Sequence, residues 1–190
     1  LVGSEMCIRD SLSAYEDVFE EIPFENPNFS KGRGFKPQQK PRAAYAAMVS
    51  EFDKNVGQVL ALLKEIGQLK NTIVIFASDN GVHNVGGHDP AYFNSNASLR
   101  GIKRDLYEGG IHVPFIVSWP KVIDKPRVTD HISTFWDFMP TICDMLDIPI
   151  PQGSDGISYL PVLENREWEQ VKHDYLCLLY TSPSPRDLST

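Results

Sequence analysis

A chain of 190 residues, 42% hydrophobic and 23% charged, has the balance of an ordinary globular protein and is long enough to bury a sizeable core. The net charge of −7 argues against a nucleic-acid partner, which needs clustered Lys and Arg. No run approaches the roughly eighteen apolar residues of a membrane span, so one soluble domain is expected.

The three cysteines, Cys7, Cys143 and Cys177, show neither Cys-X-X-Cys spacing nor a disulfide framework. Residues 1–11 lack the continuous apolar stretch of a signal peptide, and residues 177–190 carry Ser, Thr and Pro without periodicity. Both ends resemble translated adapter sequence. They are read as non-native tails around a credible chain of residues 12–176.

In chain order, residues 12–40 hold Pro23, Pro27 and Pro37, which break any long helix and predict an extended surface connection. From Pro41 the residues Tyr45, Met48, Val49, Phe52, Val56, Val59, Leu60, Leu63 and Ile66 recur at helical spacing. Pro41 suits a first turn and Gly67 a C-terminal cap, giving an amphipathic helix of about seven turns. Gly57 in its interior is expected to allow close backbone packing. Residues 72–78, Thr-Ile-Val-Ile-Phe-Ala-Ser, form the apolar, β-branched run of a strand covered on both faces. A Gly- and Asn-rich loop over 79–104 follows, long enough to suggest function. Residues 113–119 read as a second buried strand, and residues 133–147 as a helix that Pro140 kinks or begins. Residues 155–163 read as a loop with a short closing element. Helix followed by buried strand predicts an α/β layer architecture.

The chemistry-bearing residues cluster after the first strand. Asp79 and Asn80 stand at its carboxyl end, where open α/β sheets bind ligands. A carboxylate beside a carboxamide offers two hard oxygens, suited to Ca²⁺ or Mg²⁺. Taken alone, Asp79-Asn80-Gly81 is as good a plain turn, and the turn is the commoner outcome. Arg100, Lys103 and Arg104 bring positive charge to a glycine-containing loop, a way to hold a tetrahedral oxyanion or simply a solvated basic turn. Glu108 before Gly109-Gly110 reads as a structural partner rather than a general base. His83 and His88, in the long loop, are candidates for substrate contact or solvated loop residues, and His112 and His131 read as structural histidines. His173 lies beside the boundary of the second tail. No nucleophile elbow, P-loop or His-Glu-X-X-His motif occurs.

Together these segments resemble the formylglycine-dependent sulfatases of the alkaline-phosphatase superfamily. The residues that carry the resemblance are Asp53-Lys-Asn-Val-Gly57, Asn71-Thr-Ile-Val-Ile-Phe-Ala-Ser-Asp-Asn-Gly81, Leu99-Arg-Gly-Ile-Lys103, Leu106-Tyr-Glu-Gly-Gly-Ile-His-Val-Pro114, Trp136-Asp-Phe-Met-Pro-Thr141 and Asp155-Gly-Ile-Ser158. In order and spacing they cover roughly residues 41–176. The resemblance implies a three-layer α/β sandwich with a mostly parallel central sheet, here incomplete. It implies that Asp79 and Asn80 ligate calcium, with magnesium the lesser choice, and that Lys103 contacts the sulfate.

The family's nucleophile is a formylglycine made from the cysteine of a Cys-X-Pro-X-Arg motif, and none of the three cysteines stands in one. The chain by itself is therefore expected to be inactive and to bind calcium weakly. His112 stands where the family carries arginine, which puts a local ion pair in question. The resemblance further implies an aryl or carbohydrate sulfate ester as substrate and a periplasmic or secreted location. Two other readings compete: a phosphodiesterase or phosphonate hydrolase of the same superfamily, and a binder of sulfated glycans without turnover.

Overall fold

The computed structural model describes residues 11–176. They group into two compact units, one ending at Ser118 and one beginning at Trp119. Cys7 and Cys177 lie outside the described residues, and Cys143 is a buried free thiol.

In the first unit the connection ahead of Pro41 contains two short 3-10 turns, Ser13–Tyr15 and Phe29–Lys31, and a bridge pairing Phe24 with Gln38. Helix α1 then runs over Pro41–Glu65, 25 residues, with Pro41 in the first turn as expected. The N–H groups of Arg42 and Ala43, in the first turn, donate to the Glu21 carboxylate at 2.9 and 2.8 Å. A side chain from the preceding connection thus satisfies the helix start and sets negative charge at the positive end of the helix dipole. At the other end Gly67 takes φ +71°, its N–H donating to Lys64 O at 3.1 Å while Gln68 N–H donates to Leu63 O at 2.8 Å. That paired closure is a Schellman motif, and it uses the left-handed conformation glycine adopts without a Cβ penalty.

Burial along α1 is uneven. Arg42, Ala43, Ala44, Ala47 and Glu51 are buried, whereas Met48, Val49, Phe52, Val59 and Leu62 are 47–55% exposed. The apolar stripe read from the sequence is present but largely uncovered by the described residues. At Gly57 an added Cβ would meet nothing within 4 Å, so the expected close backbone approach is absent there.

The two strands are shorter than their apolar runs. Strand β1 is Val74–Ala77 and strand β2 is Phe115–Ser118. They pair antiparallel, with Val74 opposite Ser118 and Ala77 opposite Phe115. The parallel pairs expected of the central sheet are not among the described residues. The physical reason is the connection, which holds only one four-residue helix, α2 (Glu108–Ile111), and no long crossover helix of the kind a parallel pair requires. Neither strand is covered on both faces: β1 is half-buried, and Phe115 and Ile116 are exposed.

The second unit is built around a buried carboxylate. A 3-10 turn, Phe135–Asp137, leads into helix α3, Phe138–Met145, and Pro140 falls in its first turn rather than kinking it. Asp137 is 1% exposed. It accepts hydrogen bonds from Thr134 N–H at 2.7 Å and Ile157 N–H at 2.8 Å, and its Oδ1 lies 2.8 Å from His173 Nε2. One residue therefore starts the helix, ties down the loop over 155–158 and holds the segment that contains His173. Thr141 extends the network by donating to Asp137 O at 2.7 Å and accepting from Tyr159 N–H at 3.0 Å. The short helix α4, Leu160–Leu163, buries Leu160, Val162 and Leu163. Arg127 donates to the carbonyls of Val162 and Leu163 and to Asn165 Oδ1. Burial, with the Asp137 charge adding to it, pushes the Tyr159 phenol up to about 12.

Candidate active site

The site grows from the carboxyl end of β1. Ser78 Oγ donates to Asn80 O at 2.8 Å, which bends the chain as it leaves the strand. Asn80 Nδ2 donates to Gly81 O at 3.1 Å, a bond that employs the amide nitrogen and leaves Oδ1 for another partner. Asp79 is exposed and Asn80 half-buried.

Two glycine contacts lock this turn to the lysine segment. Gly81 N–H donates to Gly110 O at 2.9 Å, and a Cβ on Gly81 would lie 1.9 Å from Gly109 O. A Cβ on Gly109 would in turn lie 2.0 Å from Gly101 O. No side chain fits in either place, so the paired glycines are required by backbone contact. Lys103 N–H donates to Val82 O at 2.7 Å and Gly109 N–H to Arg100 O at 2.7 Å. The Asp79-Asn80 step and the Lys103 segment are thereby stitched together through main-chain bonds, independent of flexible side chains.

Lys103 is half-buried and is one of the two central residues of a tight turn closed by Asp105 N–H donating to Ile102 O at 2.9 Å. Asp105 Oδ2 returns the favour by accepting from Ile102 N–H at 2.9 Å. Arg100 is engaged with Tyr107: its guanidinium carbon sits 3.7 Å from the ring centroid and its Nη2 lies 2.7 Å from the hydroxyl. Glu108 holds His112, with Oε2 3.1 Å from Nδ1. His112 thus makes a polar link to Glu108, one that carries a full charge pair only when the imidazole is protonated.

The two loop histidines come together with each other. The His83 and His88 rings are 5.8 Å apart, edge to face. His83 Nδ1 accepts from Val85 N–H at 3.2 Å. His88 packs 4.0 Å from the Tyr45 ring and 6.1 Å from Phe93, with Ser95 Oγ 3.5 Å from its Nε2, while its Nδ1 is buried without a partner among the described residues. A cleft of about 410 Å³ opens beside it, lined by Asn84, His88, Asp89, Asn96 and Ile102 among others. The aromatic wall of Tyr45 and Phe93 was not foreseen from the sequence. Tyr45 had been placed on the apolar stripe of the helix, which hid that it faces the loop.

Burial pushes the His88 imidazole below its ordinary value, His83 adds to the effect, and Asp89 opposes it. Burial lowers His131 in the same direction. A histidine whose folded pKa is depressed is protonated more readily in the unfolded chain. Its stabilising contribution is therefore complete above the unfolded value of about 6.5 and is lost as pH falls below it. Urea midpoints measured from pH 8 down to pH 5 should decline, and His88→Phe should flatten part of that decline. An unchanged slope in the variant would show that His88 is not involved.

The donor chemistry of Asp79 and Asn80 suits a hard cation: one exposed carboxylate and one free amide oxygen on a turn fixed by backbone bonds. Among the described residues no group of three His, Cys, Asp or Glu could hold a metal ion.

The sequence matches the family described as Sulfatase over residues 17–148, well over half of the chain. It is 34% identical to human steryl-sulfatase over 136 residues, covering 70% of this chain and 23% of that protein. It is 36% identical to an N-acetylglucosamine-6-O-sulfatase of Bacteroides thetaiotaomicron over 184 residues, covering 87% of this chain and 31% of that protein. The chain thus spans less than a third of the length of these relatives. Among solved structures, one in complex with its substrate D-glucosamine-2-N,6-O-disulfate superposes with a TM-score of 0.55 at 31% identity, over 73% of this chain and 27% of that one. A phosphonate monoester hydrolase from Silicibacter pomeroyi superposes with a TM-score of 0.52 at 28% identity, over 75% of this chain and 26% of that one. The expected α/β class of the alkaline-phosphatase type therefore holds, with a two-stranded piece of its sheet among the described residues. The chain belongs to the sulfatase family.

Proposed function

We propose that the protein to which this chain belongs hydrolyses sulfate esters of carbohydrate or aryl alcohols, with Lys103 contacting the sulfate and Asp79 and Asn80 ligating calcium. The observation that supports this most is the main-chain stitching of the Asp79-Asn80 turn to the Lys103 segment through Gly81–Gly110 and Lys103–Val82. It holds the backbone of Lys103 and the backbone of the two hard oxygen donors on neighbouring, directly bonded loops. When bound, the cation would draw electron density from a sulfate oxygen as the ester bond changes. Lys103 would supply a second fixed positive charge, and the glycine contacts would keep both sources of charge in place, so that little reorganisation accompanies the reaction. Asp79 would orient the cation and Asn80 Oδ1 would complete its share of the shell.

The nucleophile would be the family's formylglycine, contributed by residues outside this sequence. The 190-residue chain by itself would then be inactive. Substrates of the relatives, a glucosamine disulfate and an N-acetylglucosamine 6-O-sulfate, favour a carbohydrate sulfate over a simple aryl sulfate. A periplasmic or extracellular location would suit such a substrate. A phosphonate monoester hydrolase is the second reading, favoured by the likeness to the Silicibacter pomeroyi enzyme.

The test is release of inorganic sulfate by the full-length protein from 4-nitrophenyl sulfate and from glucosamine 6-sulfate, run beside phenyl phosphonate monoesters. Sulfate release is expected from the full-length protein and none from the 190-residue chain. Turnover of the phosphonate alone would overturn the proposal. In parallel, calorimetric titration of the 190-residue chain with calcium should give no binding tighter than about millimolar, because two ligands replace too few of the 6–8 oxygens calcium takes. Micromolar binding would mean that this chain holds a complete site.

A further inference from the structure

The turn that carries Lys103 contains a conformational anomaly. Its two central residues are Lys103 and Arg104, and Arg104 has φ +86°. A positive φ at the third position of a four-residue turn is where glycine or asparagine normally stands, because a Cβ is strained there. Here the most bulky cationic side chain occupies it, held by the closing hydrogen bond of Asp105 and by Asp105 Oδ2 on Ile102 N–H. Strain of this kind persists only where the surroundings enforce it, and it concentrates at functional positions.

The charges around the turn point the same way. Asp105 spends its carboxylate on a backbone N–H, Glu108 spends its own on His112, and Arg100 lies over the Tyr107 ring. Neither Lys103 nor Arg104 has an ion-pair partner among the described residues, and Arg104 is exposed. Two adjacent cations without ion-pair partners repel each other, and a ligand with one anionic group can answer only one of them.

We propose that Arg104 forms a second anion subsite beside the sulfate-binding Lys103, selecting substrates that carry another negative group, a sulfate or a carboxylate, close to the ester that is cleaved. This rests on the sulfatase reading of Lys103 but makes a separate claim. The strained position is retained because the guanidinium recognises that second group with a planar pair of donors.

The experiment measures binding of three probes to the full-length protein by calorimetry: benzenesulfonate, benzene-1,3-disulfonate and 3-sulfobenzoate. The wild type is expected to prefer the two dianions over the monoanion by about fivefold, the scale of one exposed charge pair. In Arg104→Gly, which relieves the backbone strain and so keeps the fold, that ratio should collapse toward one. Arg104→Lys should retain part of it. Preference for the disulfonate alone would identify a second sulfate as the ligand, and preference for the sulfobenzoate alone a carboxylate. A ratio that Arg104→Gly leaves unchanged, or a wild type that binds none of the probes or all three equally, overturns the subsite. Sulfate release in the preceding assay stands or falls independently of that ratio.

Discussion

Lys103→Ala in the full-length protein is expected to lower kcat for sulfate release by about 100- to 1,000-fold, the scale of removing one preorganised charge from a transition state. The turn that presents Lys103 is closed by Asp105 N–H on Ile102 O and by Ile102 N–H on the Asp105 carboxylate, and the Lys103 N–H bonds Val82 O. Alanine preserves all of these, so the loss would report the ammonium and not the loop. KM should change less than kcat, since charge that develops during bond breaking is stabilised more than the ground-state ester. Lys103→Arg would restore the charge without the compact geometry and should recover only part of the rate. If Lys103→Ala retained more than a tenth of the wild-type kcat, the proposed sulfate contact would have to be abandoned.

Asp137→Ala should cost the second unit about 3 kcal/mol, from roughly 1 kcal/mol for each hydrogen bond lost at a buried site. The substitution removes the acceptor of Thr134 N–H, of Ile157 N–H and of His173 in one step. All three partners stay behind in a place where Asp137 itself was 1% exposed, so water cannot easily replace them. Asp137→Asn keeps one acceptor oxygen and should cost less. Thermal or urea unfolding of the 190-residue chain checks the order wild type, Asn, Ala. A loss under about 1 kcal/mol for alanine would mean that the unit is held elsewhere, with the carboxylate replaceable by solvent.

Local patterns in the sequence located the elements well where the signal was local. Pro41 and Gly67 bounded the long helix, and the helix runs Pro41–Glu65 with a glycine-based closure at Gly67. Pro140 marked an early turn of a helix that begins at Phe138. The β-branched runs overlapped both strands, although the strands are shorter at each end. What the local pattern missed was covering. Gly57 faces open space, and Met48, Val49 and Phe52 are about half exposed, because an apolar stripe records what a surface is suited to bury and not which residues of this chain bury it. The sheet direction was likewise set by the connection rather than by the strand sequences.

At the candidate site, Asp79, Asn80 and Lys103 were singled out as residue types with chemistry, but their relation to one another was not in the spacing. The 79–104 loop is too long for its ends to be placed by local propensity. Gly81, Gly109 and Gly110 carry that relation, and of these only Gly81 stands in a recognisable turn sequence; the need for all three shows once their backbones are seen in contact. His83 and His88 were named together, yet nothing local indicated that His88 would lie against Tyr45 from the helix.

The sequence by itself therefore determined the family, from motifs in a fixed order along the chain, and the limits of the long helix and the chemical types at the site, which are written in neighbouring residues. Only the tertiary structure decided that Asp137 would gather Thr134, Ile157 and His173, and that Arg104 would sit at φ +86° beside a Lys103 with no ion-pair partner among the described residues. Those arrangements depend on contacts between residues far apart in the chain and on the hydrogen bonds that close a turn. Both are properties of packing, which no short stretch of sequence carries.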